Sequence, residues 1–196
     1  MVPAGVDSRV GEILAWVHEA SNPYLDWFWG SPTEAVAQLK EQLIRPNSEL
    51  SEKRAVCLSE AGQIIGGYIA LPGHELPACR KADLLTLSNH LKRAPNEGLI
   101  ARMRQARSVF ASVGSDEFYL SRIGVIPSAR GKGTGKKLLG AFLEDGRRRG
   151  FRQFRLDVSA DNERAIRLYR VAGFVMAGES AIPTTPIRYF SMTLAD

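Results

Sequence analysis

Residues 122–137 read RIGVIPSARGKGTGKK, and the rest of the chain is organised around this stretch. Glycines stand at positions 131, 133 and 135, ringed by Arg130, Lys132, Lys136 and Lys137. The run before it, EFYLSRIGVI at 117–126, reads as a strand. The run after it, TGKKLLGAFLEDGRRRG, sets Leu138, Leu139, Phe142 and Leu143 on one side of a helix. A glycine turn therefore joins a strand to a helix. The backbone N–H groups of residues 131 to 136 gather, unpaired, at the positive end of the helix dipole. Glycines at 133 and 135 let an anion reach the backbone without a Cβ in the way, and a phosphate is the natural occupant. Two familiar phosphate loops are excluded. G-x-x-x-x-G-K-[ST] fails because Lys137 follows Gly135-Lys136 and Arg130 stands where the first glycine should be. G-x-G-x-x-G fails because Gly131 and Gly133 would need a third glycine at Lys136.

Working outward, the strand order predicts a mixed α/β sheet. RAVCLSE and QIIGGYIAL form a hairpin over 54–71. QFRLDVS, FVMAGES and IRYFSMTL are further strands, and NERAIRLYRVAG is a helix ended by Gly173. Val6, Val10, Ile13, Leu14 and Val17 mark a first helix from about residue 7 to 20. SNPYLDWFWGSP is a turn-rich aromatic stretch, and TEAVAQLKEQLI a second helix with Thr33 as its cap. Residues 72–114 read as two helices inserted over the sheet. One domain over 1–196 follows, since 196 residues suit a single core.

A net charge of +5 suits an anionic ligand and also nucleic acid. No basic stripe interleaved with aromatics is present, so no nucleic-acid partner is expected. Arg147, Arg148 and Arg149 fall at a helix end, where cations are favoured, and read as a solvated face. Cys57, Cys79, His18, His74 and His90 lack metal-ligand spacing, so neither a metal site nor a disulfide framework is expected. No charged start precedes an apolar run and no apolar run reaches 18 residues, so a cytoplasmic protein without a membrane span is expected.

A second motif, NERAIRLYRVAGF, places Asn162, Ala165 and Tyr169 along one helical stripe. Taken singly, Tyr169 reads as a core tyrosine and Asn162 as a helix cap. Together, V-x-P-x-x-R-G-x-G-x-G and N-x-x-A-x-x-L-Y-x-x-x-G-F resemble the GNAT superfamily of acetyl-CoA-dependent N-acetyltransferases. The resemblance covers roughly Glu117 to Leu194, and the hairpin at 54–71 fits the same plan. It implies a mostly antiparallel sheet of about six to seven strands flanked by helices, with a splayed central pair.

The resemblance also implies roles. Backbone groups of Ile123, Gly124 and Val125 would pair with the pantetheine arm of acetyl-CoA. Arg130, Gly131, Lys132, Gly133, Thr134, Gly135 and Lys136 would hold its pyrophosphate. Asn162 would hydrogen-bond the arm, Ala165 would leave it room, and Tyr169 would be the general acid beside the sulfur. A backbone N–H near Val125 could hold the developing oxyanion.

The base is left open. Strand alternation puts Glu117, Tyr119, Ser121, Ile123 and Val125 on one face. Tyr119 occupies the place where family members carry a base. Glu117 is the nearest carboxylate and could act through a water, or be a solvated charge at the strand start. His74 is a weaker candidate. Tyr24, Trp27, Phe28 and Trp29 either wall an acceptor pocket or fill the core. The acceptor is a small-molecule or peptide amine, and a homodimer is a base-rate expectation. A non-catalytic acyl-CoA-binding or regulatory protein of the same fold is the alternative.

Overall fold

The computed structural model describes residues 4–107, 109–110 and 112–196. Ser108 and Ala111, within the predicted insertion, and the Val6 side chain lie outside the described residues. The elements run α1 (Ala4–Ser21), α2 (Tyr24–Trp29), α3 (Pro32–Ile44), β1 (Ala55–Glu60), β2 (Gln63–Pro72), α4 (Leu76–Arg93) and α5 (Glu97–Ala106). Then follow β3 (Glu117–Val125), α6 (Thr134–Arg148), β4 (Gln153–Ser159), α7 (Glu163–Val171), β5 (Val175–Ala181) and β6 (Arg188–Ala195).

Among the described residues, six strands form one sheet in the order β1-β2-β3-β4-β6-β5. Every neighbouring pair is antiparallel except β3 and β4, which run parallel. One face carries α6 and α7. Phe118, Leu120, Phe154, Leu156 and Met192 from the sheet meet Leu138, Leu139, Phe142, Ile166 and Tyr169 there. Phe118 and Phe142 stack with ring centres 5.3 Å apart. The other face carries α1 to α3, whose Ile13, Trp16, Val17, Leu39 and Leu43 close over Ile69. The inserted helices α4 and α5 add Leu87 and Leu99 to this second core, so the insertion helps to build the fold.

Two local expectations change. The aromatic stretch after residue 23 is a short helix, α2, rather than a turn. The cap of α3 is Ser31, whose hydroxyl accepts from the Glu34 N–H at 3.2 Å, with Pro32 in the first turn where its missing N–H costs nothing. Among the described residues, no helix is long and apolar enough to cross a membrane.

A bulge decides how β3 presents its side chains. Ile69 faces Arg122 while the next residue, Ala70, faces Leu120, so Ser121 is extra. Parity flips there. Phe118 and Leu120, then Ile123 and Val125, all join the core on the α6 side. The expected single face running from Glu117 to Val125 is therefore broken at Ser121.

Candidate active site

The parallel pairing of β3 with β4 covers only Glu117–Leu120 against Gln153–Leu156. Beyond that point β3 stays on β2 as far as Val125, and β4 stays on β6 as far as Ser159. The two inner edges part and leave a wedge. The Ile126 N–H donates to Ile65 O in β2 at 2.9 Å. N–H groups alternate along a strand, so those of Val125 and Ile123 point the other way, into the wedge. The Val125 carbonyl shares that direction and accepts from Arg130 Nε at 2.9 Å.

The glycine turn closes the outer end of the wedge. Gly131 and Gly133 have φ of +82° and +80°, a left-handed backbone that disfavours any side chain. Gly133 is the N-cap of α6 and supplies no side chain to satisfy the first turn, whose N–H groups stay outward. Thr134 turns its hydroxyl inward, donating to Ala129 O at 3.2 Å, and so contributes only its backbone. Arg130 Nη2 pairs with Glu19 of α1 at 2.6 Å. A cleft of about 640 Å³ runs from this turn, between α1 and α7, to Tyr169. Of the predicted cofactor residues, Ile123, Gly124, Val125, Arg130, Gly131, Gly133, Thr134, Gly135, Lys136, Asn162, Ala165 and Tyr169 line it. Lys132 instead projects into solvent. Gly124 has a packing duty too, because a Cβ there would come within 2.7 Å of Trp16 O.

At its inner end the cleft meets a chamber of about 130 Å³. Tyr169 is buried, 6.0 Å from the Phe174 ring, and its hydroxyl has no hydrogen-bond partner among the described residues. Burial pushes this phenol well above its ordinary pKa. Asn162 caps α7, its Oδ1 accepting from the Ala165 N–H at 3.1 Å. Opposite stand Tyr119 and Asp157. The Tyr119 hydroxyl donates to Asp157 Oδ2 at 2.9 Å. Burial raises the Asp157 carboxyl, against the lowering effect of that hydrogen bond and of Arg155. Burial, and then the Asp157 charge, raise Tyr119.

The acetyltransferase (GNAT) family model matches residues 21–174. The chain belongs to the GNAT acetyltransferase family. No curated protein sequence matches it significantly. Among solved structures, an N-acetyltransferase from Staphylococcus aureus Mu50 aligns at 18% identity and a TM-score of 0.60, covering 82% of this chain and 80% of the other. The ribosomal-protein-alanine N-acetyltransferase from Brucella melitensis aligns at 19% identity and 0.58, over 97% and 96%. Ard1 from Thermoplasma volcanium aligns at 16% identity and 0.55, over 95% and 90%. At these identities the likeness is one of fold.

Within this GNAT frame, Glu117 lies away from the wedge. It sits at the start of β3, its Oε2 accepting from the Gly114 N–H at 2.6 Å and its Oε1 3.9 Å from Arg155 Nη1. A nearly buried carboxylate with these partners fastens the turn before β3, so it is not a solvated charge at the strand start. His74 is exposed, its Nδ1 3.3 Å from Ser115 O. Both cysteines are free, with thiols raised by burial. Arg147 pairs with Asp196, and Arg148 and Arg149 with Asp145, so the triple-arginine run is largely neutralised.

Three residues of the site escaped the sequence reading. Asp157 had a signal: in QFRLDVS it is an acid alternating with Phe154, Leu156 and Val158, all core residues. Glu49 and Arg122 had none, because their partners are remote. Glu49 accepts from the Ser121 hydroxyl at 2.6 Å and from Arg80 Nε at 3.2 Å. Arg122 Nε donates to Ser21 Oγ at 2.8 Å. The aromatics of α2 divide: Tyr24, Phe28 and Trp29 line a cavity of about 820 Å³ beneath α4 and α5, while Trp27 packs toward Ile182 and Tyr189.

Proposed function

We propose that this single domain is an N-acetyltransferase that moves an acetyl group from acetyl-CoA to a primary amine by direct attack. One observation carries the proposal: the Tyr169 hydroxyl, without a hydrogen-bond partner among the described residues, stands at the inner end of a cleft whose outer end is the left-handed glycine turn. The donor set fits the cosubstrate. Outward N–H groups at Gly133 to Lys136, with Arg130 and Lys136, suit a pyrophosphate. The free edge of β3 at Ile123 and Val125 suits an amide-bearing arm, and Ala165 keeps the α7 wall low.

The chain's own groups then divide the chemistry. The acceptor nitrogen attacks the thioester carbon, and the carbon–sulfur bond breaks. Asp157 takes the amine proton. Its raised pKa makes it a stronger base than an ordinary carboxylate. Tyr119 acts through Asp157, which its hydroxyl holds in place, so it is a positioning residue. The Val125 N–H faces the developing oxyanion. The Tyr169 hydroxyl hydrogen-bonds the leaving sulfur. Burial makes its phenolate costly, so it shares its proton with the sulfur in the transition state and keeps it afterwards.

Thiol release from acetyl-CoA, followed across a panel of primary amines with wild type and Tyr169→Phe, tests this. Amine-dependent release by wild type that drops in the variant is the expected result. Acetyl-CoA binding with no amine acetylated would favour the non-catalytic alternative.

A further inference from the structure

The chamber and the large cavity share walls: Tyr24, Phe110, Tyr119 and Arg122 line both. An acceptor whose amine reaches the chamber therefore has its body in the cavity. At about 820 Å³ the cavity lies in the range of small-molecule sites, and most of its wall is apolar and aromatic.

Its charges are unbalanced. Arg45 is matched by Asp83 at 3.0 Å and Arg80 by Glu49 at 3.2 Å. Arg104, Arg107 and Arg122 have no acidic partner among the described residues. Arg104 and Arg107 are exposed at the rim. Arg122 is half-buried where the two spaces join. Its Nε donates to Ser21 Oγ at 2.8 Å and its Nη1 to Ser121 O at 2.6 Å. Nη1 also reaches Ser121 Oγ at 3.4 Å, a hydroxyl that donates onward to Glu49; all three acceptors are neutral, and Nη2 has no partner among the described residues. A fixed guanidinium with no directly paired carboxylate and an open Nη2, beside the chamber in which the amine reacts, suits a carboxylate on the same molecule.

We propose that the acceptor is a free α-amino acid with a bulky apolar side chain. Its carboxylate pairs with Arg122, its amine enters the chamber toward Asp157, and its side chain packs on Tyr24, Phe28 and Phe110. This rests on the N-acetyltransferase reading. A peptide N-terminus would place an uncharged amide where Arg122 offers a cation.

The test uses full-length protein, acetyl-CoA and three matched series: phenylalanine, tryptophan and leucine, their amides, and their decarboxylated amines. Thiol release gives kcat/KM, and calorimetry with CoA present gives acceptor affinity. For wild type, the acids should exceed the amides by at least about tenfold, the scale of about one charge-assisted contact. Arg122→Gln should bring the ratio to near one by raising KM for the acids. Arg122→Lys, which keeps the charge, should keep part of the ratio, and it decides the matter if the Gln variant does not fold. Amides or decarboxylated amines turned over as well as the acids would overturn the acceptor assignment and leave the N-acetyltransferase intact. Arg122-dependent binding of the acids without acetylation would support the carboxylate site and sink the transferase. Acids that neither bind nor react overturn the proposal.

Discussion

The Tyr119 hydroxyl donates to Asp157 Oδ2 at 2.9 Å across the point where β3 and β4 stop pairing. Tyr119 lies opposite Arg155 on the paired segment, and Asp157 is one residue beyond the last rung at Leu156. One bond thus ties the strands together where the backbone ladder ends, and it aims a half-buried carboxylate at the wedge. Arg80 stacks over the Tyr119 ring at 5.9 Å and is in turn held by Glu49. The Ser121 bulge sits beside this bond and, by reversing parity, puts the Ile123 and Val125 side chains on the α6 side.

Asp157→Asn should separate activity from stability. The amide keeps an acceptor for Tyr119 but cannot take a proton, so kcat/KM should fall by about 10²-fold. Stability should move the other way. The folded pKa of Asp157 lies above its unfolded value, so the folded state holds the proton more tightly. Its stabilising contribution is full below the unfolded pKa and is lost as pH rises through the folded pKa. Wild type should therefore lose Tm across that window and then level off, and Asp157→Asn should lack the step. Identical Tm–pH curves would remove the claim that burial governs this carboxyl.

Tyr119→Phe keeps the ring under Arg80 and deletes the bond that lowers the Asp157 pKa. The acidic limb of kcat/KM should move to higher pH, with rate recovered above it. A uniform loss at every pH, with no shift of the limb, would make Tyr119 a packing residue only.

Glu117→Gln distinguishes the two carboxylates on these neighbouring strands. The amide oxygen still accepts from the Gly114 N–H, but the charge facing Arg155 is gone. Tm should fall modestly while kcat stays within about twofold, since general-base loss would cost about 10² or more. A large fall in kcat in a folded protein would return the base role to Glu117.

Gly135→Glu is the clean probe of the glycine turn. Gly133 carries a φ of +80°, so any substitution there adds backbone strain. Gly135 lies in the first turn of α6, and a Cβ would meet only Leu168 Cδ2, at an ordinary 3.6 Å. The variant should fold and lose at least about tenfold in acetyl-CoA affinity, equal to about 1.4 kcal/mol. Unchanged affinity by calorimetry in a folded variant would place the pyrophosphate elsewhere.

The parts of the fold that could be read in advance are those encoded locally. The hairpin, the glycine turn and the α7 stripe each declare themselves within a short continuous stretch of sequence. The Ser121 bulge did not, because an extra residue in a strand is visible only against its partner, here Ile69 and Ala70. The α2 helix was hidden for a different reason. Six residues flanked by Pro23 and Gly30 carry turn signals, and burial of Leu25 and Trp29 overrides them. Glu49 and Arg122 belong to the site through contacts with residues far away in sequence, on β3, α4 and α1, that no periodicity reveals.

Tyr169→Phe addresses the chemistry most directly. The ring packs in the core against Phe174, and phenylalanine retains that packing. The hydroxyl makes no hydrogen bond among the described residues, so its removal should leave Tm nearly unchanged. If the hydroxyl serves the leaving sulfur, kcat should fall by about 10²-fold. The Kd for acetyl-CoA should hardly move, because the contact strengthens only as charge builds on sulfur. Burial raises the phenol pKa, so wild type should show no alkaline loss from this group below pH about 10. A thioester with a more acidic thiol leaves with less help and should suffer less from the substitution. A kcat within about twofold of wild type, at unchanged Tm, would reject Tyr169 as the donor and point to an ordered water in its place.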